Sequence, residues 1–252
     1  MEKLHRGSRK HVLDWTGHET FLTEFEQFLA PCTVSFPYKD AFMPKGINSP
    51  LEARLERFGP SWLPEKKPAW DALKDWWLCH KAGANTPNWD IAAVCEIEGQ
   101  SGLVLVEAKA NRWELGKAGK PIAVNASTNS RQNHERIAAA IKEACAGWQH
   151  IDNRVLITHK SRYQLANRLA FAWKLASLGI PVVLVYLGFT GDEGIRGSFM
   201  DDAAWQDAFD KYTFGNVPLG LFGKRLKVES TPIWLLSRCR QVTEMSPAVS
   251  KI

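Results

Sequence analysis

Residues 88–110 constrain this chain more than any other stretch, because their pattern suits two strands of one hairpin. Asn88 to Glu98 (NWDIAAVCEIE) alternates, with Trp89, Ile91, Ala93, Cys95 and Ile97 to one side and Asp90, Ala92, Val94, Glu96 and Glu98 to the other. Gly99-Gln100-Ser101-Gly102 is a turn signal. Gly102 to Ala110 (GLVLVEAKA) returns, with Val104, Val106 and Ala108 on one face and Leu103, Leu105, Glu107 and Lys109 on the other. Folding about Gln100-Ser101 sets Glu107 opposite Val94 and Lys109 opposite Ala92, with Asp90 one pair further along. One face is then unbroken apolar, and Asp90, Glu107 and Lys109 gather at one end of the other. A one-residue slip would destroy both patterns, which argues for this pairing.

The elements around the hairpin complete a mixed layer. Glu19 to Leu29 has helical spacing, whereas residues 1–20 read as polar and loose and Pro31 to Pro50 as loop with one short strand. Ser49-Pro50 opens a helix over Leu51–Phe58, and Ala69–His80 is a second, with Trp70, Leu73, Trp76 and Trp77 on one side. A long helix spans Asn129–Trp148 and an almost wholly apolar one Tyr163–Leu178. Arg154–Thr158 reads as a short strand and Trp205–Phe209 as helix. Pro181–Gly188 (PVVLVYLG) does not alternate, as expected of a strand covered on both faces, and Thr231–Val242 is a late strand. The fold class is therefore α/β (α+β), a mixed central β-sheet flanked by helices. No composition shift divides residues 1–252, so one domain is expected.

Charge is uneven. The net charge is +5, but Lys109–Lys142 holds seven Lys/Arg and two acids, and Asp192–Asp210 holds six acids and one base. Such polarity suits an anionic partner as well as it suits an ordinary solvated surface. The longest apolar run, Ile180–Leu187, is too short for a bilayer, so no membrane partner is expected. The five cysteines, at 32, 79, 95, 145 and 239, form no CxxC pair, and the first ten residues lack an apolar leader core. A reducing cytoplasmic setting is the expectation.

The chemistry sits at the end of the hairpin. Hard cations such as Mg²⁺ take oxygen ligands, often one or two carboxylates together with substrate phosphate. Asp90 and Glu107 are the candidate metal-ligating carboxylates and the Ala108 carbonyl a third oxygen. Lys109 is placed to orient an attacking water and to stabilise a charged phosphorane. A different reading remains open, in which the three are a cross-strand charge cluster on a solvated face.

Asp90, then a hairpin turn, then Glu107-Ala108-Lys109 resembles the PD-(D/E)XK phosphodiesterases, the restriction-endonuclease-like superfamily. Asn88-Trp89-Asp90 stands where that family often has Pro-Asp, the proline here being displaced to Pro87, and Val106-Glu107-Ala108-Lys109 matches the second half as it stands. The family order of helix, meander, helix and strand is similar to the order of elements over roughly residues 50–190. Two helices rather than one precede the buried strand, and there is no Gln-x-x-x-Tyr motif. The resemblance implies a restriction-endonuclease-like core and an Mg²⁺-dependent (Mn²⁺ possible) nuclease acting on nucleic acid, DNA more than RNA, with Asp90, Glu107 and Lys109 catalytic. The alternative is a nucleic-acid-binding or partner-binding module without catalysis.

Further residues bear on substrate binding. Arg112 and Trp113 share a loop, where Trp113 either stacks on a base or packs. Arg131 and Gln132, in the first turns of the long helix, are candidate nucleic-acid contacts. Glu52 precedes the hairpin, where some relatives carry an extra metal-binding glutamate, and Glu56 and Glu19 compete with it. The histidines show no HExxH spacing, and no GxGxxG, GxxxxGK[ST] or GxSxG is present.

Overall fold

A strand with both faces covered has no polar side to alternate, and the apolar run in the middle of the chain is such a strand. In the computed structural model, which describes residues 6–242, Val182–Thr190 is buried along its whole length. The strands in chain order are β1 (Val34–Ser35), β2 (Phe42–Met43), β3 (Ala53–Arg54), β4 (Asn88–Trp89), β5 (Ile91–Ile97), β6 (Gln100–Lys109), β7 (Val182–Thr190), β8 (Arg225–Val228) and β9 (Thr231–Gln241). The helices are α1 (Ser8–Thr16), α2 (Phe21–Phe28), α3 (Leu55–Trp62), α4 (Lys67–Trp77), α5 (Thr128–Gln149), α6 (Tyr163–Ser177) and α7 (Asp202–Thr213). Seven strands form one mixed sheet in the order β1-β5-β6-β7-β9-β8, with β2 also on β5; β3 and β4 form a separate pair. β5 and β6 are antiparallel, β6, β7 and β9 run parallel, and β8 returns antiparallel. The expected mixed sheet flanked by helices is the observed architecture.

The two faces carry separate cores. Ile91, Ala93, Cys95, Ile97, Val104, Val106 and Ala108 pack with Val183, Val185 and Leu187 under Val12, Trp15, Phe21 and Phe25 of α1 and α2. Ala92, Val94, Leu103 and Leu105 pack with Leu184 and Tyr186 under the remaining helices, including Trp77, Trp148, Phe171 and Trp205. The faces therefore follow the alternation in the sequence except at Trp89, which belongs to the second core. The strand is interrupted at Asp90, between β4 and β5, and Trp89 turns with β4 toward β3.

The hairpin register differs from the expectation. Ile97 pairs with Gln100, so the turn is Glu98-Gly99, with φ of 53° and 77°. Positive φ at both positions is the mark of the tight turn that matches strand twist. Glu107 then does not face Val94, nor Lys109 Ala92. Ile91 pairs with Val106, and the next position brings Asp90 across from Glu107. The error is an even number of positions, so every side chain of β5 and β6 keeps its expected face.

Three other expectations fail. Residues 8–16 are not loose: Val12, Leu13 and Trp15 are buried, because an apolar sheet face needs a cover. The helix expected over Leu51–Phe58 begins at Leu55, since Ala53 and Arg54 pair with Trp89 and Asn88. Arg154–Thr158 forms no strand; only an isolated bridge joins Thr158 to Ser161. Among the described residues no helix is long and apolar enough to cross a membrane.

Gly188 of β7 lies beside Lys109 in the sheet, and a Cβ there would fall on the fully buried Trp205 indole. Gly188→Ala is expected to lower stability by about 1–3 kcal/mol through overpacking. Thermal unfolding checks this; an equal or higher midpoint would contradict the packing described.

Candidate active site

The carboxyl end of β6 delivers Glu107, Ala108 and Lys109 to the rim of the sheet, and the break before β5 delivers Asp90. These four residues line a cavity of about 460 Å³ together with Arg6, Ser8, Arg9, Glu52, Glu114 and Gln164. The Asp90 backbone N–H donates to the Val106 carbonyl at 3.1 Å, and the Ala108 N–H donates to Asp90 Oδ2 at 2.8 Å. These two bonds hold Asp90 against the end of β6, with its carboxylate on the Ala108 N–H.

Glu107 is 1% exposed and fully engaged. Its Oε1 accepts from Lys109 Nζ, and its Oε2 accepts from Arg168 Nε at 2.5 Å. Lys109 also donates to Gln164 Oε1 at 2.8 Å. Arg168 donates to the Asn88 carbonyl at 2.6 Å and to Asn167 Oδ1 at 3.1 Å, while its guanidinium lies 4.5 Å from the Trp89 ring centroid. Gln164 and Arg168 are one turn apart on α6, so a single helix face grips both Lys109 and Glu107.

The two carboxyls are driven in opposite directions. Burial raises the Asp90 pKa from 3.8 to about 7, and the neighbouring Glu107 charge adds to the rise against Lys109 and Arg168. Burial also pushes Glu107 upward, but Arg168 and Lys109 outweigh it and hold its carboxyl below the ordinary value. Arg168 stays charged: burial works against it, and Glu107 and Asp90 overcome that. The site is a buried ion cluster with one easily protonated carboxyl at its edge.

Oxygen donors suited to a hard cation are present: Asp90, Glu107 and the Ala108 carbonyl. Glu52, whose Oε2 accepts from Asn88 Nδ2 at 2.7 Å, shares the cavity. Among the described residues no three His, Cys, Asp or Glu side chains are gathered into a metal-holding group. Any cation would therefore rest on two carboxylates, a carbonyl and water, a set that Mg²⁺ accepts. Asp90, Glu107 and Ala108 all border the cavity, and their oxygens are of the kind a hard cation takes.

Not every candidate reaches the cavity. Arg112 and Trp113 are exposed, Trp113 by 73%, on the turn that also carries Glu114. Arg131 does not face the site: its Nε donates to the Ala126 carbonyl at 3.2 Å. Gln132 is bonded to His80. Both are spent on fastening the start of α5. Glu56 bonds Thr86 and Glu19 is exposed, outside this cavity. Sequence reasoning weighs Arg168 as a phosphate contact against a surface charge or a local ion pair, and an ion pair with Glu107 is what it forms; Gln164, Arg9 and Glu114 it passes over. A signal for two of them was present: a Gln and an Arg four residues apart in an otherwise apolar helix must find polar partners once buried. The comparisons with protein-family models, curated proteins and solved structures return no match.

Proposed function

We propose that this chain is a metal-dependent nuclease that hydrolyses phosphodiester bonds of nucleic acid, DNA more than RNA, on a restriction-endonuclease-like core. The observation that carries the reading is the convergence of Asp90, Glu107, Ala108 and Lys109 in one cavity at the end of β6. The element order also supports it: helix, antiparallel hairpin, helices, then a strand parallel to the second hairpin strand. The five cysteines are free thiols, which supports a reducing compartment such as the cytoplasm.

Asp90, Glu107 and the Ala108 carbonyl would hold Mg²⁺ or Mn²⁺, which supplies Lewis-acid polarisation of the phosphate and a more acidic bound water. Lys109 donates to the water or to a non-bridging phosphate oxygen, where negative charge grows in the transition state. Water oxygen bonds to phosphorus, the bond to the leaving oxygen breaks, and a proton passes to that oxygen. Arg168 fixes the Glu107 carboxylate and Gln164 fixes the Lys109 amine. Incubation with Mg²⁺, Mn²⁺ or EDTA and linear, circular or single-stranded DNA is the direct test. Binding without metal-dependent cleavage would favour a nucleic-acid-binding module on the same fold.

Three substitutions sharpen this. Glu107→Gln should abolish metal-dependent cleavage. Lys109→Ala should lower the rate by roughly 10²–10³ while Mn²⁺ still binds, because the amine acts on water and phosphate. Cleavage at the native rate in either variant, or loss of Mn²⁺ binding together with activity in Lys109→Ala, would remove that assigned role. For Asp90 the pH sign is fixed by its raised value. In metal-free buffer the folded state holds a proton that the unfolded chain releases near pH 4, so this contribution to stability is full at low pH and fades as pH rises through about 7. Asp90→Asn should therefore gain thermal stability relative to the native protein more at pH 8 than at pH 5. Equal differences at both values would show that Asp90 does not titrate as described.

A further inference from the structure

Beside the cavity lies a surface that the reaction above does not use. Two stretches of chain contain no acid: residues 115–134, with Lys117, Lys120 and Arg131, and residues 153–168, with Arg154, Lys160, Arg162 and Arg168. The fold lays parts of them side by side. The Arg162 N–H donates to the Lys117 carbonyl at 2.9 Å, the Tyr163 N–H to the Ala118 carbonyl at 2.9 Å, and the Lys120 N–H to the His159 carbonyl at 2.8 Å. Gly119 approaches the Lys160 carbonyl so closely that a Cβ would not fit. The Lys120 ammonium lies 4.9 Å from the Tyr163 ring centroid, and His134 of α5 meets His159 with ring centroids 5.5 Å apart.

The result is a cluster of cations without counter-ions. Among the described residues Lys117, Lys120, Lys160 and Arg162 form no ion pair; the Arg162 guanidinium instead donates to Asn216 Oδ1 at 2.6 Å. Lys117 and Lys160 are exposed, and Lys120 and Arg162 half-buried. Arg162 holds a left-handed backbone, φ 43° and ψ 48°, a conformation costly for a side chain with a Cβ and retained where the surroundings enforce it. Burial first, and then the neighbouring His134 and Lys160, keep His159 below its ordinary pKa. The cluster adjoins the site through the start of α6: Gln164, two residues after Arg162, lines the cavity and accepts from Lys109.

We infer that Lys117, Lys120, Lys160 and Arg162 form the track on which the phosphate backbone of a nucleic acid runs into the Asp90–Glu107–Lys109 cavity. The inference rests on the nuclease reading for its substrate, and on the joined acid-free segments for its location.

Salt dependence tests it. Native protein and the triple variant K117Q/K120Q/K160Q are titrated with a fluorescent DNA duplex in EDTA over a series of salt concentrations. Each lost phosphate contact removes about 0.9 from the slope of log K against log salt, so the triple variant should lose about 2–3 units. The double variant K117Q/K160Q, confined to exposed side chains, should lose about 1–2 units and guards against misfolding caused by removing Lys120. The control K45Q/K67Q/K211Q carries the same change in net charge at lysines paired with Asp40, Asp71 and Asp207, and should keep the native slope. Equal loss in both triples, or no loss in either, overturns the track, as does native protein that binds no DNA. Cleavage with an unaltered slope in K117Q/K120Q/K160Q would sink the track and leave the nuclease reading. A slope lost as expected in a protein that cleaves nothing with Mg²⁺ or Mn²⁺ would sink the nuclease reading and leave the track.

Discussion

Everything at the proposed site hangs on the ionised carboxylate of Glu107 in the interior. Burying a lone carboxylate is prohibitive, and Glu107 is tolerated because Arg168 and Lys109 each satisfy one of its oxygens. Such a cluster is a poor way to gain stability. Replacing a whole buried ion pair by well-packed apolar groups is often neutral or better, whereas deleting one partner typically costs about 3–5 kcal/mol. What the cluster does supply is position: α6 is held to the end of β6 at one rotation and one height. Trp89 beneath the Arg168 guanidinium closes the arrangement from the side of β4.

The location of the cavity follows from the sheet. β6, β7 and β9 run parallel, so their carboxyl ends share one edge, and connecting segments must leave from it. In open sheets with parallel strands that edge is where loops converge and ligand sites form. Here the first helix takes part as well. Ser8 and Arg9 border the cavity, Arg9 lies 3.5 Å from Glu52, and the Ser8 N–H donates to Glu114 at 3.4 Å. The same helix buries Val12 and Trp15 in the core it shares with α2, so it joins that core to the rim of the cavity.

Local rules carried the sequence reading a long way and then stopped. Alternation in β5 and β6 identified the faces because side chains reverse with period two, a property indifferent to an even shift in pairing. The shift itself was hidden because the turn uses Glu98 at positive φ, where a glycine or asparagine would have announced it. The unbroken apolar run of β7 and the apolar stripe of α5 were legible for the same local reason. α1 was not, since its few apolar residues sit among charges and gain their meaning only from the sheet they cover. The Arg168–Glu107 pair was illegible because helix periodicity says which side of α6 a residue occupies, but not which strand that side meets. Arg131 and Gln132 failed in the opposite sense: their helix was read correctly, but their side chains are used at its own start.

The long reach of the parallel pairing has a kinetic consequence. Leu103 of β6 pairs with Val182 of β7, and all of α5 and α6 lies between them. Closing so large a loop is an entropic toll met before its contacts form, and topologies rich in such pairings fold slowly. The β5–β6 hairpin, closed by a two-residue turn, assembles on a far shorter timescale. Asp90, Glu107 and Lys109 belong to that fast local unit, whereas Arg168 can join them only through the slow long-range docking of α6.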